Sequence, residues 1–194
     1  YTLSLHDALP ILEVSRTPVA EALTRLAADG LIEQMPNRKA RVKRFTRDEV
    51  SDIYQMRRLL EPEAAARAAT RLGDDTLRDL RRAFDALAAS LDDIDWPGRA
   101  LAFDLDLHDT IARASGSDRL YQDIARYRLL VRSLCLMTGE QSNLRAAFAE
   151  HGRILDALEA RHAELSRAAM TAHVDARLRA VLQSLECQSV PAAS

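Results

Sequence analysis

Several things are scarce in this 194-residue chain. It has two cysteines, Cys135 and Cys187, with no CxxC pair, so neither a disulfide framework nor a cysteine zinc site is expected. Two reduced thiols suit a cytoplasmic protein. Lysine is almost absent: arginine supplies 25 of the 27 basic side chains. Aromatic residues make up 5% of the chain. No apolar run approaches the roughly 18–20 residues that a membrane span needs, so no membrane partner is expected. The first residues lack a basic segment of the secretory type. From Thr46 onward no alternating strand pattern is found, which leaves an α-helical body.

Charge is unevenly spread. Residues 1–45 carry net +2 and residues 46–194 carry net −4. A basic head on an acidic body suits a protein that meets nucleic acid through one part only.

The head has a helix signal. Ser15 is placed to cap, Pro18 falls in the first turn, and Gly30 can take the left-handed residue after the helix. Val19, Leu23 and Leu26 recur at helical spacing. Leu31–Gln34 and Ala40–Lys43 read as two short strands joined by Met35–Lys39, a basic tip with a Pro-Asn turn. Helix plus basic hairpin is the outline of a winged helix. Ser15, Arg16 and Thr17 lie at a helix N-terminus, whose free N–H groups attract phosphate, and an arginine there can also read guanine. Arg38 and Lys39 at the hairpin tip are placed against a second stretch of backbone. These five are the candidate DNA-binding residues.

The body divides into six helical segments. Thr46 with Glu49 forms a capping-box pattern, and the first helix runs to about residue 72. The others cover about residues 74–91, 99–114, 118–137, 142–160 and 163–187, with residues 92–98 as a loop. Short connections predict an antiparallel bundle.

The order Ser15-Arg16-Thr17-Pro18-Val19-x-Glu21-Ala22-Leu23, then Leu26 and Gly30-Leu31, a hairpin and Arg57-x-x-Leu60-Glu61 resembles the GntR family of transcription regulators. Within it the chain is similar to the FadR subfamily, whose C-terminal part is the FCD domain. The resemblance covers about residues 12–186. It implies a homodimer whose affinity for operator DNA is set by a small metabolite. The chain departs from the family pattern at Ala20, where arginine is usual, at Lys39, where glycine is usual, and at Ser117, where asparagine is usual.

The expected division is therefore a partial winged helix over residues 12–45, a helical effector-binding FCD-like domain over 46–188, and a tail over 189–194. Residues 1–11 do not resemble the family and read as foreign sequence before a shortened head. This reading expects weak, unselective DNA binding by the chain as it stands.

Four side chains suggest a metal centre. Asp104 and His108, four apart, share one helix face. His151 lies 11 residues before His162 and His173 lies 11 after it. Across a helix turn near Arg161/His162 both would stand about 16 Å from that turn, hence level with each other. Three imidazoles and a carboxylate suit Zn²⁺, Ni²⁺ or Mn²⁺. The four match positions where metal-binding FCD proteins carry ligands. His162 reads as a cap or loop residue. Phe103, Leu105, Leu107 and Ile111 should surround the site.

The resemblance also gives Arg57 a place near the effector, where its planar fork suits a small organic carboxylate. The alternative is a surface arginine paired with Glu61 one turn on. Arg128 and Arg132 are further candidates for the effector. Two other functions stay open: a hydrolase that activates water on a His3Asp metal, and an effector domain that binds no DNA. No catalytic residue is assigned, because no general base stands beside the four.

Overall fold

A computed structural model describes residues 2–4, 14–35, 39–138 and 144–189. The chain forms two compact units, residues 1–46 and 47–194.

The first unit contains β1 (Thr2–Ser4), α1 (Arg16–Ala28), β2 (Ile32–Met35) and β3 (Lys39–Val42). The strands form an antiparallel sheet in the order β1-β3-β2, with Leu3 opposite Ala40 and Gln34 opposite Ala40 on the other side. β1 was not expected. It falls in the segment set aside as foreign, and it is possible because an open strand edge pairs with any extended backbone, whatever its side chains. The hairpin strands are each displaced by one residue from the expected runs, so Met35 and Lys39 belong to strands. The Pro36–Arg38 part of the expected turn lies outside the described residues, and Arg38 with it.

Helix α1 ends as its sequence predicts. Gly30 has φ 76°, its N–H donates to the Ala27 carbonyl at 3.0 Å, and the Leu31 N–H reaches the Leu26 carbonyl at 2.9 Å. This is a Schellman closure, which needs the left-handed residue that glycine supplies without strain. The start differs. Ser15 holds the N-cap position, but its side chain makes no capping hydrogen bond. Val19, Leu31 and Ala40 are buried, while Leu26 is 37% exposed, so the predicted apolar face is only partly covered.

The second unit is a bundle of six helices among the described residues: α2 (Arg47–Arg71), α3 (Asp74–Ala88), α4 (Trp96–Ala114), α5 (Asp118–Thr138), α6 (Leu144–Glu159) and α7 (Ala163–Ser189). Helix α4 begins three residues earlier than expected, because Pro97 fits its first turn. Helix α2 continues through Pro62. It is the central element, touching α4, α5, α6 and α7. Ala64, Ala65, Ala66, Ala68 and Ala69 are all buried along it. Side chains this small let neighbouring helices approach closely. No described helix is long and apolar enough to cross a membrane.

Two arginines secure the turns that set helix register. Arg161 takes the left-handed conformation at φ 54° after α6, and His162 N–H closes on the Ala157 carbonyl at 3.3 Å. Its guanidinium donates to the Leu72 carbonyl at the end of α2 and to Asp74. That side-chain anchoring offsets a backbone cost that glycine would avoid. His162 caps the next helix, its Nδ1 accepting from the Leu165 N–H at 3.3 Å. Arg71 donates to the Ser115 carbonyl beside Gly116, where any Cβ would strike the Arg71 guanidinium.

Candidate metal centre

Helix α4 projects Asp104 and His108 inward one turn apart. Helices α6 and α7, joined by the tight turn at Arg161, bring His151 and His173 level. The two rings stand 4.8 Å apart between centroids, and His108 lies 5.6 Å from His151 and 5.1 Å from His173. One ligand atom from each of the four residues falls within 4.8 Å of all the others. The three imidazoles are almost wholly buried, and Asp104 keeps 24% of its side chain exposed. Asp104 Oδ1 lies 3.2 Å from His151 Nε2 and 3.8 Å from His108 Nε2.

Buried nitrogens without partners are costly, and here they face one another. Among the described residues both ring nitrogens of His151 and of His108 lack a well-aligned hydrogen-bond partner, although a carboxylate oxygen of Glu61 lies 2.7 Å from His108 Nδ1. A divalent cation would satisfy the inward-facing atoms, and the donor set of three imidazoles and one carboxylate fits Zn²⁺, Ni²⁺ or Mn²⁺. Protonation states agree. Burial pushes His108 down to about 4, with the nearby charge of Arg128 adding to it and Glu61 opposing. Burial, then His151 and His108, hold His173 well below the usual histidine range. Burial alone would raise Asp104, but Arg128 and His151 outweigh it and keep the carboxylate ionised. Neutral His108 and His173 and an ionised Asp104 are the forms a metal takes up without displacing protons.

Around the four stands a charged layer that the sequence reading largely missed. Glu61 on α2 is buried and approaches His108 Nδ1 at 2.7 Å. Arg57 donates through Nε to Glu61 Oε1 at 2.5 Å. This corrects the surface alternative for that pair: both side chains are 2% exposed. Burial would raise Glu61, yet Arg57 and His108 hold it well below the usual carboxylate range. Glu150 on α6 contacts His173 Nδ1 at 2.9 Å and accepts from Arg177 at 3.2 Å. Sequence offered a hint only for Glu61, through its spacing from Arg57. Glu150 adjoins His151 in the chain but serves His173 on another helix.

The other candidates are placed as follows. Arg128 donates to Asp104 Oδ2 at 2.6 Å and sits at the exposed side of the cluster. Arg132 is exposed. Phe103, Leu107 and Ile111 are buried, while Leu105 is half-buried. The slot beside His108, lined by Ile111, Ile124 and Met170 among others, is too narrow for a water molecule. In the first unit Ser15, Arg16 and Thr17 are exposed at the start of α1, and Lys39 is exposed on β3.

The family model of the FCD domain matches residues 52–176. A "probable D-xylose utilization operon transcriptional repressor" from Paenarthrobacter nicotinovorans is 30% identical over 173 residues, 89% of this chain and 76% of that protein. An HTH-type transcriptional regulator in the TAR-I ttuE-ttuC' intergenic region of Agrobacterium vitis is 35% identical over 103 residues. That match spans 52% of this chain and 60% of the relative's length. Among solved structures, E. coli McbR/YncC superposes with TM-score 0.80 at 21% identity, covering 95% of this chain and 88% of that one. A GntR transcriptional regulator from Rhodococcus sp. RHA1 gives TM-score 0.76 at 23% identity, covering 93% and 86%. These relatives are regulators of transcription and not enzymes, which removes the hydrolase alternative. The chain belongs to the FCD-domain branch of the GntR family of transcriptional regulators.

Proposed function

We propose that the helical unit is a metal-dependent sensor for a small organic carboxylate, and that binding alters the affinity of a homodimer for operator DNA in the cytoplasm. The observation that carries this reading is the buried convergence of Asp104, His108, His151 and His173, with inward nitrogens that lack partners. Three imidazoles and one carboxylate leave further coordination positions open on Ni²⁺, Mn²⁺ or Zn²⁺, and a carboxylate suits them. Arg128 and Asp104 form the most exposed side of the cluster, so a ligand would enter there. Arg128 is then the arginine best placed to meet its second polar group. Arg57 would reach a ligand only by releasing Glu61. Ser15, Arg16, Thr17 and Lys39, with Arg38 beyond the described residues, remain the proposed contacts to DNA.

The test is elemental analysis of purified protein followed by titration. About one divalent ion per chain is expected, and His151→Ala with His173→Ala should abolish it and lower thermal stability. Full occupancy in the double variant would defeat the assignment. Light scattering should give twice the 21.6 kDa chain mass. In a chain carrying a complete winged helix, operator binding measured by anisotropy should respond to small carboxylates only in the metal-loaded protein, and Arg16→Ala should then weaken it by about 1–3 kcal/mol if that side chain reads a base.

A further inference from the structure

Three of the four clustered side chains have their outward atom engaged by a charged residue from a different helix. Arg128 of α5 donates to Asp104 Oδ2 at 2.6 Å. Glu61 of α2 lies 2.7 Å from His108 Nδ1, and Glu150 of α6 lies 2.9 Å from His173 Nδ1. Among the described residues His151 has no such partner; its contact is with Asp104, inside the cluster.

An ionised carboxylate can only accept a hydrogen bond. A carboxylate against Nδ1 therefore places the single proton of a neutral imidazole on that atom. Nε2 is left with a lone pair and turned the other way, toward the cluster. Both carboxylates are themselves held by buried or half-buried arginines. Arg57 bonds Glu61 at 2.5 Å, and Arg177 bonds Glu150 at 3.2 Å. The pairs repeat one arrangement, arginine to carboxylate to Nδ1, from separate helices.

Resting on the metal reading above, we infer that Glu61 and Glu150 are positioning residues for a divalent ion: each fixes its histidine as the Nδ1–H tautomer with Nε2 facing the metal, and Arg57 and Arg177 lock the carboxylates in place. Arg57 then has a structural task behind the site, which accounts for its burial. His151, with no such outer partner among the described residues, has its ring set by Asp104 and by packing against Phe103 at 6.0 Å between centroids.

Glu150 gives the cleaner test, because removing Glu61 would strand the buried Arg57. The full chain, metal-free and labelled with ¹⁵N-histidine, should show His108 and His173 as Nδ1–H tautomers in long-range ¹H–¹⁵N spectra. Glu150→Ala should shift His173 toward a mixture, and Glu150→Gln, whose amide oxygen can still accept, should restore the tautomer at least in part. Competition with a chromophoric chelator should show Zn²⁺ affinity about 10–100-fold lower in Glu150→Ala, with partial recovery in Glu150→Gln. The visible absorption of the Co²⁺-loaded protein should change in Glu150→Ala alone. An Nε2–H tautomer of His173 in the unaltered protein would overturn the inference. So would wild-type Zn²⁺ affinity and Co²⁺ spectrum in a folded Glu150→Ala protein. If the unaltered chain binds neither ion, the metal reading fails, and the tautomers of the metal-free protein still decide whether the carboxylates orient the rings.

Discussion

The two units of this chain handle side chains in opposite ways. The helical unit encloses three histidines, an arginine and a glutamate almost completely, each with an ordered charge around it. The N-terminal unit buries Val19, Leu31 and Ala40 and leaves Val14, Leu26, Met35 and Val42 substantially in solvent. The helices packed around α2 can exclude water from a polar centre, whereas the described helix and short strands of the first unit leave apolar side chains in solvent. Polar chemistry that needs a dry site therefore resides in the second unit. The exposed start of α1 and Lys39 in the first suit contact with a charged surface.

The largest effect should come from breaking the buried charge. Glu61→Ala leaves Arg57 without its partner, and urea denaturation should show a loss of about 3–5 kcal/mol. A loss below about 1 kcal/mol would mean that water reaches Arg57 and that the enclosure is weaker than described.

The comparison is sharpened by two leucines of equal size. Leu155 is fully buried on α6, and Leu155→Ala should cost about 2–5 kcal/mol. Leu26→Ala in the first unit should change stability by no more than about 0.5 kcal/mol, because that side chain is already exposed. Equal losses would erase the distinction between the units.

Acid should act on the helical unit next. His108 titrates near 6.5 when unfolded and about 4 when buried in the fold. Its folded value is depressed, so the unfolded chain takes up the proton first as pH falls. The metal-free protein should thus lose stability from about pH 6.5 downward, with the loss complete near pH 4. Thermal melts across that range should show a smaller slope in His108→Gln. A more local effect belongs to the α1 turn. Gly30 has φ 76°, so Gly30→Ala should cost about 1–2 kcal/mol, read as faster hydrogen exchange at the Leu31 amide.

Much of the architecture was legible because it depends on neighbours along the chain. Periodicity gave six helices in the body, and Gly30 gave the end of α1. Pro97 was read as a loop residue although it starts α4, since proline permits either. β1 was not legible, because pairing to the free edge of β3 uses backbone groups that every sequence carries. The four clustered residues were legible for a simple geometric reason. His151 and His173 are equally far from one turn, and Asp104 and His108 share one face.

What surrounds those four was decided by the tertiary structure alone. Arg57–Glu61 and Glu63–Arg67 are both arginine–glutamate pairs four residues apart on the same helix. The first is buried against His108 and the second lies near solvent, where Arg167 of α7 joins it. Spacing fixes which side chains can touch within a helix. It carries no information about which face the other helices cover. That depends on the packing of α4, α6 and α7 around α2, and so the same local pair is a surface ornament at one position and part of the candidate metal centre at another.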